Sequence, residues 1–249
     1  MIRVSASAFD ILWSDLGHRL PPSPLAVRSV GRTDAERAAI RRDVYANLAE
    51  RGLHSGGELD ATLRERLDLL AGASVYVECE AMLDVNEPEP VRAVAAVRGA
   101  QGVLAVQPQR TIGLEAVRDG ELFSAAVGVL PAFEPGPGYG VSLPSAALGG
   151  AAQDPVYGQG ASRGSRAFEQ QLREVLAIQA RPVLGAGQFS VRVRRDGALR
   201  RLGGLSWFVT DVGAYLGTVA LGRGGEDWVS VAPADHERLA SRLADLLDA

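Results

Sequence analysis

Lysine is absent: all 26 basic residues of the 249-residue chain are arginine. That excludes a Schiff-base lysine and the Walker A lysine that reaches nucleotide phosphates. A GC-rich gene is the simplest source of the bias, because arginine codons tolerate it and lysine codons do not. Cysteine is almost absent too. Cys79 stands alone, so no internal disulfide forms. It alternates with Val75, Val77 and Ala81, which marks it as a small buried apolar residue. Histidine occurs three times, as His18, His54 and His236, and none has a second His or Cys at metal-ligand spacing. No metal and no cofactor are therefore expected. Long apolar runs are missing, as is a basic region followed by an apolar run at the N-terminus. The expectation is a cytoplasmic protein without membrane insertion. The net charge of −4 lacks the basic footprint of a nucleic-acid binder.

What is present is ordinary for a globular protein: 47% hydrophobic and 22% charged residues. A chain of this length buries roughly 70–75% of its unfolded surface without staples, as one large domain or two small ones. Thr33-Asp34-Ala35-Glu36 reads as a capping box satisfying two N–H groups reciprocally, with Ile40, Val44 and Leu48 on one face and Gly52 as the stop. Ser55-Gly56-Gly57-Glu58 reads as a second box, opening a helix striped by Leu59, Leu63, Leu67 and Leu70. A third helix runs from about Ser165 to Gln179. A fourth starts at Pro233, where a missing N–H costs nothing, and is striped by Leu239, Leu243, Leu246 and Leu247. A shorter helix covers Phe9 to Leu16.

Strands follow from alternation. They span 75–81, 91–97, 102–106, 111–117 and 122–129, with Asp119-Gly120 as the last hairpin turn of that set. Further on, Phe189, Val191 and Val193 point in while Ser190, Arg192 and Arg194 point out. Asp196-Gly197 turns into 199–202, and 205–210, 214–221 and 228–231 complete the set. Turns this dense predict an α+β fold with a mostly antiparallel central sheet. The order suggests duplication: Leu63-Arg64-Glu65-Arg66-Leu67 with Val75-Tyr76-Val77 is answered by Leu172-Arg173-Glu174-Val175-Leu176 with Phe189-Ser190-Val191. Two pseudo-symmetric halves, about 1–132 and 165–249, are expected within a single domain. Between them, 133–164 reads as a flexible Gly/Pro-rich linker or flap, with a short helix at Leu143–Leu148.

Chemistry is hard to find. Gly158-x-Gly160-x-x-x-Gly164 precedes a helix but has neither a preceding parallel strand nor a lysine, so it reads as linker. Gly-x-Ser-x-Gly does not occur, and no catalytic residue is assigned. Arg192, Arg194, Arg195, Arg200 and Arg201 cluster on one hairpin, either as a solvated face paired with carboxylates or as a surface for an acidic partner. Asp84-Val85-Asn86-Glu87-Pro88-Glu89-Pro90 is an exposed acidic connection.

The hairpins of 187–231, running through Leu205-Ser206-Trp207-Phe208-Val209-Thr210-Asp211-Val212-Gly213-Ala214-Tyr215 and feeding the Leu-spaced last helix, resemble the EspG family. So do Leu12-Trp13-Ser14-Asp15-Leu16-Gly17 and Gly31-Arg32-Thr33-Asp34-Ala35-Glu36-Arg37. The resemblance covers nearly the whole chain as a spaced pattern. It implies a cytosolic chaperone of type VII (ESX) secretion that carries PE–PPE cargo and performs no catalysis. Transferred by position, it implies partner contacts at Asp84, Asn86, Glu87 and Glu89, at Arg192 and Arg194 on the outward sheet face, and at Arg238 and Arg242 on the polar flank of the last helix. Reversing charge at Arg192 and Arg194 is then expected to weaken complex formation and leave the melting temperature nearly unchanged. An adaptor for another partner, or an enzyme with an unrecognised site, are the alternatives. Whether the chain forms a homodimer stays open.

Overall fold

The computed structural model describes residues 1–150, 166–222 and 224–248. Its frame is an antiparallel sheet of ten strands in the order β1-β7-β6-β5-β4-β9-β10-β11-β12-β8. One half comprises β1 (Ile2–Ser5), β4 (Val75–Met82), β5 (Val91–Arg98), β6 (Gln101–Gln107) and β7 (Thr111–Arg118). The other comprises β8 (Val141–Pro144), β9 (Val183–Arg195), β10 (Ala198–Thr210), β11 (Gly213–Leu221) and β12 (Asp227–Pro233). In each, four consecutive strands form a meander, and an earlier short strand pairs with the last of the four: β1 with β7, β8 with β12. The halves meet where β4 pairs with β9 through eight residue pairs, Val75↔Val193 to Met82↔Ala186. The fold is α+β, as the density of turns predicts.

Short-range chemistry fixes the elements. Helix α1 (Ala6–Asp15) begins where Ser5 accepts the Ala8 N–H at 3.1 Å, and buries Phe9, Leu12 and Trp13. Helix α2 (Asp34–Glu50) is capped by Thr33, which accepts from Glu36 N. The second half of that predicted box shifts by one residue: the Glu36 carboxylate takes the N–H of Arg32, not of Thr33. Ser55 to Glu58 caps nothing. Those residues form a small hairpin, β2 (His54–Ser55) with β3 (Glu58–Leu59), because Gly56 (φ 61°) and Gly57 (φ 85°) adopt the left-handed pair a two-residue turn needs. Helix α3 (Ala61–Gly72) is capped by Asp60 instead. In the second half, Asp196 (φ 53°) and Gly197 (φ 78°) make the same kind of turn between the 13-residue strands β9 and β10.

Four other expectations are corrected. Asp119–Glu121 is a 3₁₀ turn rather than a hairpin turn, and Leu122–Val127 is helix α4 rather than a strand. Leu122, Ala126 and Leu130 recur every four residues and are buried, a helical spacing hidden in a short apolar run. Val141–Pro144 is strand β8, with helix α5 (Ser145–Gly150) only afterwards, so a short helix does not span Leu143–Leu148. The connection expected as linker, 133–164, thus supplies an edge strand; its residues 151–164 lie outside the described residues, as does Ser165 as the start of the third helix. That helix, α6, is Arg166–Gln179. Pro233 ends β12 rather than opening the last helix. Helix α7 (His236–Asp248) starts after Asp235, which accepts the Arg238 N–H at 2.8 Å.

The two faces of the sheet are covered differently. One face, through Tyr76, Val94, Ala96, Val103, Ile112 and Leu114, packs under α1, α2 and α3. At its far end α6 lays Phe168, Leu172 and Val175 over Val141 and Leu143 of β8. The opposite face, through Val77, Cys79, Phe189, Val191, Leu205 and Trp207, packs under α4 and α7.

Candidate partner-binding surface

Between the α1–α3 layer and α6, the middle of the first face carries no helix among the described residues. Alternation on β4, β9, β10 and β11, together with a β-bulge between Arg201 and Gly203, puts Glu78 and Glu80, Gln188, Ser190 and Arg192, Arg201 and Ser206, and Val219 on that strip, in register across the sheet. Three hollows of about 190, 260 and 270 Å³ adjoin there. The first two share Glu78 and Arg192; the last two share Gln188 and Arg201. They form one trough. Its floor is shallow because Ser190, Gly204, Ser206 and Gly217 are small. Leu20 and Leu199 stand exposed at one end and Val219 at the other.

Most charges in the trough are already paired. Arg192 Nε donates to Glu78 Oε2 at 3.0 Å, and Ser190 Oγ donates to the same oxygen at 2.8 Å. Arg92 Nε donates to Glu80 Oε1 at 3.1 Å. Arg194, at the rim, donates to the carbonyls of Ala73 and Ala71 and to Tyr76 Oη, its guanidinium lying over the Tyr76 ring. These bonds place Arg192 and Arg194 on the outward face, as predicted. They also make both residues part of the framework. The expectation that reversing them leaves the melting temperature unchanged does not hold: reversal would set a carboxylate against Glu78 and strip the carbonyls of Ala71 and Ala73 of their donor.

The other predicted contact residues lie elsewhere. Asp84, Asn86, Glu87 and Glu89 are exposed in the β4–β5 connection, at the end of the sheet away from the β9–β10 turn. Asp84 Oδ1 accepts both the backbone N–H and the side-chain amide of Asn86, which holds its carboxyl below the usual range. Val85 N–H donates to Leu184 O, and Leu83, Val85 and Leu184 form an exposed apolar patch beside the carboxylates. Arg238 and Arg242 sit on the solvent flank of α7, on the opposite face of the sheet from the trough. Arg238 donates to Pro233 O, and Arg242 pairs with Asp245. The structure thus brings Arg192 and Arg194 together and keeps the loop and α7 residues apart from them. Sequence reading had Arg201 in the basic cluster that could face an acidic partner but did not place it in a trough, and it missed Gly204, Gln188 and Val219. Alternation marks Gln188 and Val219 as facing out, but no local pattern reveals the bulge that turns Arg201 to the same side or says that this stretch lacks a covering helix among the described residues.

The histidines have separate structural settings. His18 lies beside Asp68 at 2.9 Å and against Trp13, His54 meets Tyr45 edge-on, and His236 Nε2 contacts Pro131 O. Burial pushes the Cys79 thiol up to about 12, so it is a core residue and not a nucleophile. Among the described residues no group of three His, Cys, Asp or Glu side chains converges to hold a metal ion, and no helix is long and apolar enough to cross a membrane.

Comparison with known proteins bears on this surface. A sequence comparison with curated proteins gives no match. Among solved structures, the fold is similar to that of the Mycobacterium tuberculosis type VII secretion system chaperone EspG5, solved in complex with the PE25–PPE41 dimer. The TM-score is 0.72 at 17% identity, over 99% of this chain and 95% of that one. The model of the EspG family matches residues 5–245. That match takes in nine of the ten strands and most of the last helix, and the chain belongs to the EspG family.

Proposed function

We propose that the chain is a cytoplasmic chaperone of type VII (ESX) secretion. In this reading it binds the helical tip of a PE–PPE pair, keeps the pair soluble for export, and makes or breaks no bond. The observation that carries the reading is membership of the EspG family over 5–245, joined to likeness in fold with a chaperone solved with such a dimer. The physical logic is that an exposed apolar tip drives self-association, and covering it removes roughly 25 cal/mol of that drive per Å².

The uncovered trough is the surface best suited to the tip, with Arg192 and Arg194 forming its wall. The β4–β5 connection, with Asp84, Asn86, Glu87 and Glu89 beside the Leu83–Val85–Leu184 patch, is a second contact. Arg238 and Arg242 on α7 are a third, reached only by a partner that wraps the sheet. A standard interface of about 1,600 Å² in total suffices. A polar floor leaves little net affinity to spare after association costs of about 4–15 kcal/mol, and this favours release at the secretion machinery.

Co-expression tests the reading. PE–PPE pairs from the same genome are produced with and without this chain, and the soluble fraction is compared. A chaperone makes at least one pair soluble that otherwise precipitates, and the two co-purify. Pairs equally soluble without the chain would instead assign it an adaptor role. If no pair ever co-purifies, the proposal fails.

A further inference from the structure

We infer that Arg201 is the specificity-determining residue of the trough and that it takes a carboxylate presented by the tip of the cargo. This rests on the chaperone reading above and adds the chemistry that the partner must carry.

The argument starts from which charges are satisfied. Glu78 is neutralised by Arg192 and Ser190, Glu80 by Arg92, and Arg194 is consumed by two carbonyls and a phenol. Arg201 lines both central hollows, yet it has no hydrogen bond or ion pair among the described residues. It does not simply extend into water. A β-bulge between Arg201 and Gly203 shifts the β9–β10 register, so that Arg201 faces Arg192 while Gly204 faces Ser190 on the same side of the sheet. The guanidinium lies down across Gly204: a side chain there would begin 2.7 Å from Arg201 Nη2. A Cβ at 204 would meet the Phe189 carbonyl oxygen more closely still, so glycine is set by the tight β9–β10 approach and leaves the space in which the cation lies.

Arg201 is exposed and unpaired among the described residues, and its guanidinium offers a fork of N–H donors that matches a carboxylate with two parallel bonds. The neighbouring cation Arg192 is already spent on Glu78, so an incoming anion meets one unpaired partner, at Arg201. Exposed apolar residues flank the position, Leu199 near one end and Val219 near the other. The complementary occupant is a helical tip with one Asp or Glu set between apolar side chains. A tip with Lys or Arg at that point would face Arg201 with like charge, which rejects the wrong cargo.

The test uses the PE–PPE pair recovered by the co-expression experiment and the full-length chain. Affinities are measured by calorimetry for wild type, Arg201→Glu, Arg201→Ala, Val219→Asp and Arg195→Glu. Arg195 is an exposed arginine that alternation puts on the other side of β9, so it controls for net charge. Melting temperatures verify folding. Arg201→Glu is expected to weaken binding about 30-fold or more, Arg201→Ala less, and Arg195→Glu less than about threefold. Exchanging one acidic tip residue of the cargo for Arg is expected to restore binding to Arg201→Glu. Equal losses for Arg201→Glu and Arg195→Glu, or failure of every such exchange to rescue, overturn the inference. If Val219→Asp abolishes binding while Arg201→Glu leaves it intact, the trough remains the cargo surface and the carboxylate anchor is refuted. If no pair is held by the wild-type chain, the chaperone reading falls and this inference with it.

Discussion

The two faces of β9 and β10 are made from alternate residues of the same two strands. Phe189, Val191, Leu205 and Trp207 are buried against α4 and α7. Gln188, Ser190, Arg192, Arg201 and Ser206 line a trough with no helix over it. A purely apolar helix laid over the second set would desolvate Arg201 without giving it a partner, at a cost its apolar contacts would not offset. Among the described residues the sheet is finished on one face and open along a strip of the other, where the proposed partner would sit.

Substitutions on each face should behave accordingly. The largest effect belongs to the covered face. Trp207→Ala removes a 1% exposed ring stacked on Phe133 at 5.9 Å, and is expected to cost about 3–5 kcal/mol in chemical denaturation. A loss under 1 kcal/mol would mean that this face is not the core. Next comes the rim of the open face. Arg194→Glu should lose about 2 kcal/mol, seen as a fall of roughly 4–8 °C in Tm; an unchanged Tm would return Arg194 to the solvent.

Cys79 gives a smaller, pH-dependent effect. Burial raises its pKa to about 12 from an ordinary value of 9.0, so the folded chain holds the thiol proton more tightly than the unfolded chain. The stability this contributes is present in full below about pH 9 and is lost as pH rises from there toward 12. The Tm advantage of wild type over Cys79→Ala should therefore shrink between pH 8 and pH 10. In the native state at pH 8, iodoacetamide should leave the thiol unmodified; rapid labelling would show it open to solvent. The smallest effect is on α7: Arg242→Ala breaks only an exposed pair with Asp245, and should stay within about 0.5 kcal/mol.

Much of the frame was legible in the sequence because it rests on local chemistry. The alternation of 75–81 and 189–193, the turn at Asp196-Gly197 and the Leu stripe of the last helix each specify an element without reference to the rest. The failures share one cause. Leu122–Val127 is too short for its period to separate helix from strand. Val141–Pro144 becomes a strand only because β12 offers an edge to pair with. Ser55 and Glu58 have the composition of a cap and the glycines of a hairpin, and the glycines win because both need positive φ. The site was half legible: alternation gives the outward side of Arg192 and Arg194, but their partners, Glu78 and the carbonyls of Ala71 and Ala73, come from over 100 residues away in sequence.

The junction of β4 with β9 has a consequence for when the molecule becomes competent. Each meander closes on itself with contacts near in sequence, whereas this junction must bring together residues more than 100 positions apart, the slow kind of pairing. Glu78 stands on one side of it, and Ser190 and Arg192 on the other. A nascent or half-folded chain therefore has no trough at all. Under the proposed function, recognition by this surface would double as an inspection of the molecule itself, admitting a client only to a copy that has finished zipping its two halves together.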